Sequence, residues 1–214
     1  MTLYLDTGKV EEAKIAARLG WTKGITTNPI LLSQSSLPPA ETLRQLAGAT
    51  DGPVFYQLVS DTVAEMLQEA ERAREILGSQ LHLKIPPTDT GFEAVSRLSQ
   101  STPCIVTAVY SPAQAMIAQA AGAIMIALYF HRTMSLLEGG LHLVKEIKDV
   151  LDPNKTCILA ASLKSPGEAV VVRQEGIEHL TLPLSVLQAM TQHELSANTA
   201  TEFAQKGVGL RDNA

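Results

Sequence analysis

The sequence has no surplus of positive charge. Lys and Arg number 17 against 22 Asp and Glu, a formal net charge of −5 with a pI near 5.5. General affinity for nucleic acid needs basic residues in excess to displace counterions, so that class of partner is not expected, although a local anion site still is possible. Nor is there a stretch of about 18 uncharged apolar residues, the length a membrane-crossing helix requires. Met1 to Tyr4 leads straight into a strand-like run without a basic region or cleavage site, so a cytosolic protein with no membrane partner is expected. Cysteine is scarce. Cys104 and Cys157 are far apart, sit beside apolar strand residues and lack a second cysteine at metal-ligand spacing; they read as reduced core thiols. His82, His131, His142, His179 and His193 show no ligand spacing such as i,i+4 on one helix, so no metal site is expected. Low-complexity segments, linkers and sequence repeats are also missing, which leaves nothing to mark a boundary within residues 1–214.

What is present starts with Leu81-His82-Leu83-Lys84-Ile85-Pro86-Pro87. As a strand it puts Leu81, Leu83 and Ile85 on one side and His82 and Lys84 on the other. The two prolines stop the ladder about one residue beyond the lysine, at the carboxyl end of a sheet, where parallel α/β folds keep their chemistry. A lysine crowded by apolar neighbours loses hydration of its ammonium form, which lowers its pKa and supplies free amine as a nucleophile able to form a Schiff base. The plainer alternative is a lysine whose ammonium snorkels out from a strand end.

The same punctuation runs through the chain. Strands are expected at residues 3–6, 24–27, 54–59, 81–85, 103–107, 124–130, 156–161 and 179–182. Helices alternate with them: residues 10–19, a helix opened by Asn28-Pro29 with another punctuated helix before the third strand, 62–77 capped by Ser60 or Asp61, and 89–98 capped at Thr88-Asp89. Ser111-Pro112 opens the next, followed by 136–151, 165–175 and a last stretch over about 184–204. With 45% hydrophobic content, this describes a single (β/α)8 TIM-barrel domain, residues 1–214, with a C-terminal helical tail and a loose end over 207–214. An open doubly wound sheet is the competing architecture.

Polar residues cluster at the expected strand ends: Asp6, Thr26 with Asn28, Gln57, Lys84, Thr107, Tyr129 and Ser162. In a barrel they converge on one mouth. Taken singly, Asp6 and Asn28 can cap helices, Thr107 and Ser162 can satisfy nearby backbone, and Tyr129 can be core. Arg132 follows the sixth strand and Ser162 and Lys164 the seventh, where guanidinium, hydroxyl, ammonium and helix N-terminal amides together suit a phosphate. Solvated surface cations are the alternative there.

Over nearly its whole length the sequence resembles the transaldolase family, and within it the fructose-6-phosphate aldolase branch. The resemblance is carried by Leu3-Tyr4-Leu5-Asp6-Thr7, Gly24-Ile25-Thr26-Thr27-Asn28-Pro29, Leu83-Lys84-Ile85-Pro86, Thr107-Ala108-Val109-Tyr110, Leu159-Ala160-Ala161-Ser162 and Leu180-Thr181-Leu182-Pro183-Leu184. It implies a cofactor-free class I aldolase in which Lys84 is the Schiff-base lysine and Asp6 the general base. Asn28 orients substrate, and Arg132 and Ser162 hold its phosphate. The transaldolase branch has a glutamate in place of Gln57 and a phenylalanine in place of Tyr129, so Gln57, Tyr129 and Thr107 imply a site that positions water to protonate the enamine and release dihydroxyacetone. The expected reaction is reversible cleavage of fructose 6-phosphate. Transfer of the three-carbon unit between sugar phosphates is the alternative, and a non-catalytic sugar-phosphate binder a second. The chain departs from the family at His131, usually Asn or Gly, and at Thr133-Met134, where an apolar residue and then Asp normally follow the arginine. In relatives the tail reaches a neighbouring subunit of a pentameric ring, so a homo-oligomer, pentamer or decamer, is expected, although the tryptophan often found a few residues beyond Phe203 is missing.

Overall fold

All eight stretches expected as strands form strands, and they close on themselves. In the computed structural model, which describes residues 1–210, β1 (Thr2–Asp6), β2 (Thr22–Thr26), β3 (Val54–Gln57), β4 (Leu81–Ile85), β5 (Cys104–Val109), β6 (Met125–Tyr129), β7 (Cys157–Ala161) and β8 (His179–Leu182) pair in chain order. Every pairing is parallel, and β8 returns to β1 with Leu5 opposite Leu182. This is a (β/α)8 barrel, and its closure rules out the open doubly wound sheet.

The period of two sorts side chains into two cores. Leu81, Leu83 and Ile85 of β4 face outward into the layer between barrel and helices, with Leu5, Val106, Leu128 and Leu180. The alternate residues point inward, where Tyr4, Phe55, Ile105, Met125, Ala127 and Leu159 form a separate cluster. The rings of Tyr4 and Phe55 meet edge to face at 5.2 Å, and Phe55 lies 5.0 Å from the ring of His82. Burying a side chain such as Phe55 contributes roughly 1.5–3 kcal/mol. Because Phe55 is in register with His82 and Gln57 with Lys84, this plug fills the barrel one layer beneath the lysine. Only the mouth is left for polar groups.

The helices on the outer face are α1 (Val10–Leu19), α2 (Pro29–Ser33), α3 (Pro39–Ala47), α4 (Val63–Leu77), α5 (Asp89–Leu98), α6 (Pro112–Ala120), α7 (Phe130–Leu136), α8 (Gly140–Val150), α9 (Pro166–Gln174), α10 (Leu184–Ala189) and α11 (Glu194–Lys206). Several element boundaries differ from expectation. Thr62, and neither Ser60 nor Asp61, caps α4, in a reciprocal box with Glu65. Ser60 is engaged elsewhere: its backbone N–H and its hydroxyl both donate to the buried Glu69 carboxylate, which also accepts from Val59 N–H and from the Tyr56 hydroxyl at 2.6 Å. That carboxylate draws the backbone away from the ladder, so β3 ends at Gln57 rather than at residue 59.

A single helix over 136–151 was expected after β6, yet α7 follows Tyr129 at once and α8 starts separately. The break is at Gly139, whose φ of 74° is costly for other residues. A Cβ on the next residue, Gly140, would lie 2.7 Å from the Thr133 carbonyl, so the two helices can pack only through glycine. Arg132 therefore sits on a helix rather than a loop. The last stretch is likewise two helices, α10 and α11, interrupted over residues 190–193. No residue of α11 is buried, and Leu195 and Phe203 are exposed. Of the end expected to be loose, residues 207–210 carry no regular structure and residues 211–214 lie outside the described part.

β5 also runs two residues further than expected, through a bulge. Ala108 has a φ of 61°, and the β5–β6 register slips between Thr107 and Val109. The extra residue lets Thr107 point inward while Val109 returns to the outer core.

Candidate functional site

The strand carrying the lysine matches its expected bounds, and Lys84 is 3% exposed. Its ammonium does not snorkel to solvent. Nζ donates to the backbone carbonyl of Thr27, 2.8 Å away across the barrel. Burial pushes the amine below the usual lysine range, opposed by the negative charge of Asp6. Asp6 mirrors this: burial raises its carboxyl, while Lys84, the Thr26 hydroxyl and Lys164 pull it back. Both members of the pair are thus driven toward their neutral forms. They make no direct ion pair within 4.0 Å.

Asp6 is held by a hydrogen-bond chain. The Thr26 hydroxyl donates to Asp6 Oδ1 at 2.8 Å and lies 2.5 Å from the Thr181 hydroxyl. Since Thr26 has one hydroxyl proton and gives it to the carboxylate, Thr181 must donate to Thr26. The order Thr181 to Thr26 to Asp6 fixes the carboxylate's orientation and supports its charged form. Thr181 did not stand out in the sequence. It stood only within the quoted run Leu180-Thr181-Leu182-Pro183-Leu184, on the inward side of β8.

On the opposite wall, the Thr107 hydroxyl donates to the Tyr129 hydroxyl at 3.4 Å, and Tyr110 packs edge to face on Tyr129 at 6.3 Å. The Arg132 guanidinium sits 5.3 Å from the Tyr129 ring centroid, which steers it back over the mouth. Ser162 follows β7 with a φ of 61°, an unfavourable conformation for a non-glycine residue that turns the chain into the cavity.

A cavity of about 250 Å³ gathers Asp6, Asn28, Lys84, Tyr129, Arg132, Ser162 and Lys164. Thr181 lines it too, as do Ile30, Leu31 and Gln34 from α2 and the segment after it, which sequence reasoning did not single out. Asn28 has two tasks. Its Oδ1 accepts from Leu31 N–H at 3.0 Å and caps α2, so only its amide group is left for a ligand. Thr26 acts from behind Asp6. Gln57 and Thr107 are not in the cavity wall; among the described residues Gln57 Oε1 is buried without a partner, and Thr107 meets the cavity-lining Tyr129 through its hydroxyl. A larger cavity of about 400 Å³ lies at the opposite end of β2, lined mostly by small residues such as Ala13, Gly24 and Gly52. It has no buried amine or carboxylate pair, so the chemistry belongs to the smaller one. Among the described residues no group of three or more His, Cys, Asp or Glu is placed to hold a metal ion, and no helix is long and apolar enough to cross a membrane.

An amine whose charged form burial disfavours, fixed about one layer above an apolar plug with a carboxylate and hydroxyls around it, suits carbonyl condensation followed by proton transfer. Comparison with known proteins agrees. The family model described as Transaldolase/Fructose-6-phosphate aldolase matches residues 3–213. The chain belongs to the transaldolase/fructose-6-phosphate aldolase family. Relatives include a protein named probable transaldolase from Thermoplasma volcanium, 33% identical over 213 residues, covering 96% of this chain and 94% of the relative. Similar proteins of the same name occur in Aquifex aeolicus, 34% identical over 92% of this chain and 91% of the relative, and in Hydrogenobaculum sp., 33% identical over 92% and 91%. Membership of the transaldolase/fructose-6-phosphate aldolase family makes this an enzyme of the class I aldolase/transaldolase kind with sugar-phosphate substrates.

Proposed function

We propose that the protein is a cytosolic, cofactor-free aldolase that cleaves fructose 6-phosphate reversibly to dihydroxyacetone and glyceraldehyde 3-phosphate through a Schiff base on Lys84. The observation that carries the proposal is the buried amine of Lys84, held at Thr27 and close enough to feel the charge of Asp6. The amine attacks the ketone carbon and water leaves, giving an iminium. Asp6 then takes the proton of the hydroxyl on the fourth carbon, the bond between the third and fourth carbons breaks, and its electron pair flows into the iminium. Glyceraldehyde 3-phosphate departs and an enamine remains on Lys84. Water placed by Tyr129, Thr107 and Gln57 protonates its carbon, and hydrolysis releases dihydroxyacetone and the free lysine. Arg132, Ser162 and Lys164 hold the phosphate at the far end, and the amide of Asn28 positions the substrate's hydroxyls.

The competing reaction is transaldolase transfer, favoured by the names of the relatives and by the absence of Gln57 and Thr107 from the cavity wall. Coupled assays separate the two. Release of dihydroxyacetone from fructose 6-phosphate alone supports cleavage, and turnover that depends on added erythrose 4-phosphate supports transfer. If Tyr129 places the proton-donating water, Tyr129→Phe lowers dihydroxyacetone release by roughly 10²-fold, as expected for loss of one proton-transfer group, with far less effect on condensation. Equal losses in both would remove that role from Tyr129.

Assembly into a homo-oligomer, a pentameric ring or a decamer, fits a helix that buries nothing against its own barrel. Exposed Leu195 and Phe203 give α11 an apolar contact to offer. Light scattering should return the mass of such an assembly, and a monomeric mass for the full chain would end this part of the proposal.

A further inference from the structure

Besides Asp6, a second carboxylate stands near the cations assigned to phosphate. Glu168, in the first turn of α9, lies four residues after Lys164, whose ammonium shares the cavity with Arg132. Left free, it would pair with either cation and compete with an incoming phosphate. It is engaged otherwise. Glu168 Oε1 lies 2.7 Å from His131 Nδ1, and Oε2 accepts from the backbone N–H of Lys164 at 2.7 Å. The backbone N–H of Glu168 donates to Ser165 Oγ, which fixes the start of the helix. Among the described residues, neither Arg132 nor the Lys164 ammonium has a carboxylate within 4.0 Å. The His131 imidazole spans from α7 to α9, joining the element that carries Arg132 to the loop that carries Ser162 and Lys164.

We infer that His131 is a positioning residue for the phosphate subsite: by occupying Glu168 it keeps that carboxylate off Arg132 and Lys164 and leaves both cations to the substrate's phosphate dianion. The inference rests on the phosphate-holding role proposed above. It makes phosphate selectivity, rather than carbon-carbon chemistry, the property that His131 controls. It also predicts a specific rescue, because the damage from losing His131 comes from the freed negative charge of Glu168. A glutamine at that position keeps an acceptor for Lys164 N–H and carries no charge to compete.

The test compares wild type, His131→Ala and the double variant His131→Ala/Glu168→Gln. Condensation of dihydroxyacetone is measured with glyceraldehyde 3-phosphate and with unphosphorylated glyceraldehyde, and inhibition is measured with inorganic phosphate. His131→Ala should raise KM for the phosphorylated aldehyde and the inhibition constant for phosphate about tenfold, the equivalent of one charge-assisted contact. KM for glyceraldehyde and kcat should stay within about twofold, and the double variant should return to near wild-type selectivity. Unchanged selectivity in His131→Ala, or a double variant as weak as the single one, would overturn the inference. Melting temperatures with and without inorganic phosphate supply a second readout that needs no turnover. If the wild type condenses nothing, the aldolase proposal fails by itself, while a phosphate-induced stabilisation lost in His131→Ala and regained in the double variant still supports the role of His131. Absence of any phosphate effect on wild type counts against it.

Discussion

Replacing Lys84 by methionine should reduce turnover of fructose 6-phosphate by on the order of 10⁴-fold or more, the scale expected when a covalent nucleophile is removed. Methionine has similar length and suits the apolar surroundings made by Phe55, Ile105 and Ala127. The substitution leaves the Thr27 carbonyl without its donor, at a cost of about 1–3 kcal/mol, but removes an amine that burial disfavours in its charged form. The barrel should therefore keep its circular dichroism spectrum and a cooperative melt. Loss of activity with the fold intact assigns the chemistry to the amine. Retention of activity above about one per cent of wild type, far more than loss of a nucleophile permits, would transfer that chemistry to another lysine.

Asp6→Asn should separate the two halves of the reaction. Bond cleavage needs a base for the substrate hydroxyl, and its loss costs on the order of 10²–10⁴-fold. Condensation with dihydroxyacetone needs only the amine, so a borohydride-trapped adduct should still form. The pH dependence supplies the sign. Burial lowers the pKa of Lys84, and the carboxylate of Asp6 works against that by favouring the ammonium. Neutral asparagine removes the opposition, so the pKa of Lys84 falls further and free amine is present at lower pH. Adduct formation in Asp6→Asn should rise at a lower pH than in wild type. An unchanged pH profile would mean that Asp6 is too far from the amine to act on it, and a shift to higher pH would contradict the sign of the coupling. Thr181→Val should not be used as a substitute experiment, since Thr181 acts through Thr26 and changes the carboxylate only indirectly.

Much of this arrangement was legible because local rules carried it. Lys84 was placed on the face opposite Leu81, Leu83 and Ile85 by the alternation of β4 and at the rim by Pro86-Pro87, and both inferences need only neighbouring residues. The count and order of β/α units pointed to a barrel but left an open doubly wound sheet as its competitor, which only the pairing of β8 with β1 excludes. The features that were missed depend on partners distant in sequence. Glu69 reads as one more charged residue on an amphipathic helix, and only the fold brings it beneath the β3–α4 loop to collect the donors of Tyr56, Val59 and Ser60. Thr181 reads as an ordinary strand threonine until closure sets it beside Thr26, which is 155 positions away. The split between α7 and α8 was visible as Gly139-Gly140, but the close approach to Thr133 that requires glycine there is tertiary. Gln57 and Thr107 were expected to stand in the cavity with Tyr129. Neither lines it, although Gln57 is in register with Lys84 and the Thr107 hydroxyl donates to that of Tyr129.

The most direct test is to incubate the wild-type protein with dihydroxyacetone, reduce with borohydride, and map the product by peptide mass spectrometry. The account predicts one reduced three-carbon unit per chain, located on Lys84. No covalent unit on the protein, or one located on Lys164 or any other lysine while Lys84 stays unmodified, would contradict it.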